Sequence, residues 1–143
     1  MGGRLVRDVI VGQQLVALDK DATVVDAAKT MRNANIGAVI VTDNGRLAGI
    51  FTERDAIQRV LAEGIDATTT ALSQVMSWGL ITVTMDTPVS RVLHIMHENN
   101  FRHVPVIDRL GSPLAIVSIR DVLGDEISAY DENQGHPSTE IVD

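Results

Sequence analysis

The sequence predicts a mixed α/β (α+β) fold in which one unit, strand-helix-strand-strand-helix, is used twice and packed as a pseudo-two-fold pair. Three observations carry this. The run Gly49-Ile50-Phe51-Thr52-Glu53-Arg54-Asp55 returns later in the chain as Ala115-Ile116-Val117-Ser118-Ile119-Arg120-Asp121. An apolar helical face, Val24, Ala27, Ala28 and Met31, returns at nearly the same step as Val89, Val92, Leu93 and Met96. The chain is 45% hydrophobic but only 3% aromatic, so its core must be built from Val, Ile, Leu, Ala and Met, a mixture suited to strands packed under helices.

In order, Leu5 to Ile10 is a lead-in helical turn with Val6, Val9 and Ile10 on one side, and Leu15 to Leu18 a short strand. Thr23 opens a helix in capping-box spacing with Asp26, and the face of Val24, Ala27, Ala28 and Met31 has helical period. Asn33-Ala34-Asn35 ends it. Ala38 to Val41 and Leu47 to Phe51 are strand formers joined by Asp43-Asn44-Gly45, a hairpin turn signal. From Thr52 a second helix runs to about Ala62, with Ile57, Val60 and Leu61 inward and Gly64 as its stop.

The polar stretch Asp66 to Thr70 separates the copies: 1–65 is the first repeat, 66–70 a connector, 71–130 the second repeat and 131–143 a polar tail. Leu72, Val75 and Met76 repeat the lead-in turn, and Leu80 to Met85 the first strand. Thr87 caps the next helix, with Pro88 at its first position, where a missing N–H costs nothing. Val104 to Ile107 and Leu114 to Val117 form the second hairpin. Pro105 cannot donate to a ladder, so its strand is an edge at that point. Ser118 and Asp121 open the last helix, with Leu123, Ile127 and Tyr130 inward. A repeat of about 60 residues has only a marginal core, so the two are expected to pack on each other.

The net charge is −7 and there is no cysteine. An acidic surface opposes nucleic acid, which is bound largely by neutralising phosphates. No apolar run approaches the ~20 residues of a membrane helix, and the N-terminus lacks the pattern of a signal peptide. Disulfides, thiolate nucleophiles and zinc–thiolate sites are excluded. The expectation is a cytoplasmic protein, not an enzyme: neither a Ser–His–Asp set nor a phosphate loop can be placed. His94, His97 and Glu98 have possible metal spacing, but they flank the apolar face and read as solvated. Trp78, in the turn before the second copy's first strand, reads as partly exposed or packed on the lead-in turn.

This pattern resembles a tandem pair of CBS domains (a Bateman module) over roughly Val6 to Ile127. The resemblance rests on Gly-Ile-Phe-Thr-Glu-Arg-Asp at 49–55, on Ile36-Gly37-Ala38-Val39-Ile40-Val41, and on Phe101-Arg102-His103-Val104-Pro105-Val106. Ala115 stands where the first copy has Gly49, a small-for-small change expected to matter little.

By spacing alone, Thr52…Asp55 and Ser118…Asp121 are helix caps. The resemblance adds a ligand role: in this family the Ser/Thr-x-x-Asp pair holds ribose and phosphate, which implies Thr52, Asp55, Ser118 and Asp121. A strand running into a helix start aims backbone N–H groups at an anion, and an aspartate there accepts both hydroxyls of a ribose diol. Arg54 and Arg120 are expected to neutralise phosphates. Family pockets imply a base slot from Val16, Ile36, Gly37 and Ala38 in one copy and Ile81, Phe101 and Arg102 in the other. Arg102 and His103 add a guanidinium and a pH-dependent donor where the first copy has Gly37-Ala38, and so imply two unequal sites.

The expected function is a regulatory module that binds an adenine nucleotide (AMP, ADP, ATP or NAD), carries no catalytic cofactor, assembles as a homodimer and acts on a separate regulated protein. The alternatives are a ligand-free structural or dimerisation module, or a detached regulatory subunit of an enzyme or transporter.

Overall fold

The computed structural model describes residues 3–124. The first copy comprises β1 (Ala17–Asp19), α2 (Val24–Ala34), β2 (Ala38–Asp43), β3 (Arg46–Thr52) and α3 (Glu53–Asp55), preceded by α1 (Val6–Val9). The second is α4 (Leu72–Val75), α5 (Val89–Asn99), β4 (His103–Ile107), β5 (Pro113–Ser118) and α6 (residues 119–124). β1 runs parallel to β2, and β2 and β3 form an antiparallel hairpin. Its two-residue turn holds Asn44 and Gly45 at φ 54° and 80°, the left-handed pair that a tight hairpin needs.

The capping box of α2 forms as expected: Asp26 N–H donates to Thr23 Oγ1 and Thr23 N–H to Asp26 Oδ2, at 3.1 and 3.0 Å. Asn35, left-handed at φ 56°, ends the helix. Val24, Ala27 and Met31 are buried, but Ala28 is exposed. The stripe at i, i+3 and i+7 is narrower than expected, and Ala28 sits about 100° round from Ala27 on the outer side.

After α3 the chain continues π-wound from Ala56 to Leu61, with Ala62 N–H bonded to Ile57 C=O and Ile65 N–H to Val60 C=O, five residues back. The inward residues are Asp55 and Val60, also five apart, whereas Ile57 and Leu61 are 59% and 72% exposed. The wider winding rotates those two outward. In α6 Val122 is inward and Leu123 is not; Ile127, Tyr130 and the tail lie outside the described residues.

The second copy's expected first strand is reduced to a single parallel bridge, Val83 to Val106. Val83 N–H donates to Pro105 C=O and Ile107 N–H to Val83 C=O. The next rung is missing for a covalent reason. In the first copy it is Ile40 N–H to Val16 C=O, at 3.1 Å; Pro105, at the place of Ile40, has no N–H to give. The start of α5 is also shifted, since Pro88 is the cap position and helix begins at Val89. Thr87 Oγ1 accepts instead from Thr84 N–H. Ile95 joins Val89, Val92 and Met96 in the core.

Two cores result, and each borrows its lead-in turn from the other copy. Val6 and Ile10 pack with Val92, Val104 and Val117, while Leu72 and Val75 pack with Val24, Val39 and Phe51. Backbone bonds tie each exchange: Val6 N–H to Thr87 C=O and Val89 N–H to Arg4 C=O on one side, Leu72 N–H to Ala22 C=O and Val24 N–H to Thr70 C=O on the other. Strand alternation puts Val39 and Val41 into the first core and leaves Ala38 and Ile40 on the opposite face, where β2 meets β5. The functional residues collect along this seam.

Candidate functional site

Both strand-to-helix corners close as capping boxes. Asp55 N–H donates to Thr52 Oγ1 and Thr52 N–H to Asp55 Oδ2, each at 3.1 Å. Asp121 N–H donates to Ser118 Oγ at 3.2 Å and Ser118 N–H to Asp121 Oδ2 at 2.7 Å. A second lock is also duplicated: Glu53 N–H donates to Gly37 C=O at 3.0 Å, and Ile119 N–H to Arg102 C=O at 2.9 Å. Each corner is thereby tied to the segment that enters the hairpin of its own repeat.

Among the described residues, two clefts lie along the seam. The first, of ≈ 460 Å³, joins Thr52, Arg54 and Asp55 to Ile81, Phe101, Arg102 and His103. The second, of ≈ 970 Å³, joins Ser118, Arg120 and Asp121 to Val16, Ile36, Gly37 and Ala38. Every residue expected at a site therefore lines a cleft, and each cleft faces an aspartate of one copy with apolar residues of the other. Gly37, Glu53, Arg102 and His103 line both. Arg102 and His103 form a shared wall, so they cannot by themselves make the clefts unequal.

The inequality has another source. Asp55 is 5% exposed and also accepts from Ser77 Oγ, at 3.0 Å to Oδ1 and 3.2 Å to Oδ2. Arg59 Nε lies 3.5 Å from Oδ1. Ser77 reaches Asp55 because its backbone pairs with Ile50 in both directions, at 3.0 and 2.9 Å. A Cβ on Gly49 would lie 2.4 Å from Ser77 C=O, so only glycine permits this approach. Ala115, with its methyl group, stands at that place in the second copy and is not a neutral replacement. There Ile116 N–H finds the side-chain Oε1 of Gln13, at 3.0 Å, instead of a backbone partner.

The cations divide similarly. Arg54, which lines the first cleft, donates to Asn100 C=O at 2.9 Å, so its guanidinium is engaged by the C-terminal end of α5. Arg59 donates to Met76 C=O at 3.0 Å. Burial pushes His103 below the ordinary histidine value of 6.5, against the pull of Glu53 and Asp121 and with the push of Arg102 and Arg120. A burial penalty that outweighs nearby carboxylates favours the neutral imidazole. Elsewhere His94 Nε2 pairs with exposed Glu98 at 3.2 Å, Trp78 is 74% exposed, and among the described residues no three His, Cys, Asp or Glu side chains are placed to hold a metal.

Ser77, Arg59 and Glu53 were not expected at the site. Arg59 carried a signal, standing four residues after Asp55, the spacing at which helical charges meet. Glu53 carried a weaker one, since the second copy has Ile119 there. Ser77 carried none.

Comparison with known proteins gives a consistent picture. A family model described as the CBS domain matches residues 6–62 and again 72–125. Among curated proteins, the chain is 41% identical over 108 residues to the CBS domain-containing protein CBSX3, mitochondrial, of Arabidopsis thaliana. The match covers 72% of this chain and 52% of that relative, so the chain spans about half of that relative's length. A putative signal-transduction protein with CBS domains from Burkholderia ambifaria superposes with a TM-score of 0.81 at 27% identity, over 87% of this chain and 95% of that one. The CBS domain pair of protein MJ0100, in complex with 5′-methylthioadenosine and S-adenosyl-L-methionine, superposes with a TM-score of 0.77 at 27% identity, over 86% and 99%.

Proposed function

The chain belongs to the CBS domain family, and from that footing we propose that it is a regulatory, non-catalytic module that binds an adenosine-containing ligand at the seam between its repeats. The observation that carries this reading is the pairing in each cleft: a Ser/Thr-x-x-Asp corner from one repeat faces apolar residues from the other. That arrangement suits a nucleoside, whose ribose wants paired acceptors and whose base wants an apolar slot. A similar domain pair was solved with two adenosine compounds. The ligands we propose are AMP, ADP, ATP or NAD, with S-adenosylmethionine brought in by that neighbour.

We further propose a homodimer. Ile57 and Leu123, which stand at equivalent places in the two copies, are apolar and exposed at 59% and 37%, so the copies present matching apolar positions beside their corners. No helix among the described residues is long and apolar enough to cross a membrane, and our reading of the compartment is the cytoplasm. The module would act by presenting a ligand-biased shape to a separate protein. One observation favours a second reading, a ligand-free dimerisation module: Asp55 is already engaged by Thr52, Ser77 and Arg59.

A thermal-shift panel separates the two. A ligand at about 100 times its Kd adds about 2.7 kcal/mol, several degrees in a chain of this size. AMP, ADP, ATP, NAD, S-adenosylmethionine and 5′-methylthioadenosine are the panel. A rise with at least one supports the sensor, and silence with all six establishes the ligand-free module.

A further inference from the structure

Resting on that reading, we propose that the chain takes its ligand in one cleft only, the second, because the first is latched shut by its own side chains. A carboxylate can hold a ribose diol only with oxygens free to accept two O–H donors. Asp55 is poorly placed to do so: it is 5% exposed, Thr52 N–H and the Ser77 O–H, which is within reach of both oxygens, already engage the carboxylate, and Arg59 Nε lies 3.5 Å from Oδ1. A ligand entering there must displace Ser77.

Ser77 is not free to leave. Its strand-like pairing with Ile50, the close approach over Gly49 and the bond from Arg59 to Met76 C=O hold the segment on three sides. Among the described residues the second copy lacks this strap. Val11 stands at the place equivalent to Ser77, is 82% exposed and makes no bridge to β5. Ala115 fills the space that Gly49 leaves open. Asp121 accepts only from Ser118 N–H, through Oδ2, so among the described residues Oδ1 has no partner. The cleft it faces is about twice as large as the first. The latch also explains why a near-symmetric pair carries Gly at one corner and Ala at the other.

The test is a calorimetric titration of the full chain with AMP. The expected stoichiometry is one per chain, rising to two in Ser77→Ala, where the Asp55 carboxylate is released, and falling to zero in Asp121→Asn. Two equivalent sites in the unaltered chain, or a single site that survives Asp121→Asn, overturn the inference while leaving the adenosine reading intact. Should Asp121→Asn fail to fold, photolabelling of the unaltered chain with 8-azido-AMP decides: label at Leu15 or Val16 is expected, and label at Leu80 or Ile81 overturns the inference. No AMP bound by any form overturns it too, whereas the wider reading falls only if the six-compound panel is also silent.

Discussion

Ser77 Oγ lies 3.0 Å from Asp55 Oδ1, although 22 residues separate the two in the chain and they belong to different repeats. Asp55 therefore does two things where Asp121 does one: it caps its own helix, as Asp121 does, and it also anchors a segment of the other copy. Asp55→Ala should cost about 1–3 kcal/mol, from a lost cap and an orphaned buried hydrogen bond. Asp121→Ala should cost about 1 kcal/mol, the cap alone. Urea unfolding of the two variants without ligand measures the difference, and equal losses would remove the anchor.

Gly49→Ala should destabilise although it adds one methyl group. The new Cβ would lie 2.4 Å from Ser77 C=O and 2.8 Å from Met76 sulfur, so the Ser77 strap must move. A loss of about 1–3 kcal/mol is expected for such overpacking, whereas Ala115→Gly should cost about 1 kcal/mol or less. Thermal melts of both variants check the asymmetry.

Leu72 is fully buried, lies in the second repeat by sequence and packs in the first repeat's core. Leu72→Ala should cost about 2–5 kcal/mol. Amide hydrogen exchange should show the loss first in β2 and β3, ahead of β4 and β5. The reverse order would refute the exchange of lead-in turns.

His103 gives the fold a pH dependence of known sign. Its folded-state value is lowered from 6.5, chiefly by burial, so the unfolded chain binds the proton more readily. Stability therefore falls as pH drops through 6.5 and stops falling, for this group, below the lowered value. Melting temperature should decline between pH 7.5 and about 5, and His103→Gln should flatten that decline. An unchanged slope in the variant would exclude His103 as its source.

Much of this was legible in the residues because the chain states its pattern twice. The matched face of α5, both Ser/Thr-x-x-Asp corners and the apolar partners Val16, Ile36, Ile81 and Phe101 all lie where the repeat places them. What escaped has physical reasons. Helical period shows that Val6 and Leu72 are buried, but not in which core. Pro105 marks its own strand as irregular, yet its missing N–H also erases the strand beside it, around Ile81. The π winding after Asp55 turns Ile57 and Leu61 outward, which a period of 3.6 does not foresee. Ser77 sits in a loop with no spacing to mark it, so the latch on Asp55 emerges only in three dimensions.

The most direct test of the central claim is equilibrium dialysis of the purified chain against radiolabelled adenosine compounds, with unlabelled adenosine and guanosine as competitors. Saturable binding of at least one compound, displaced by adenosine and not by guanosine, is the expected result. No saturable binding, or displacement by both nucleosides alike, would contradict an adenosine-sensing role.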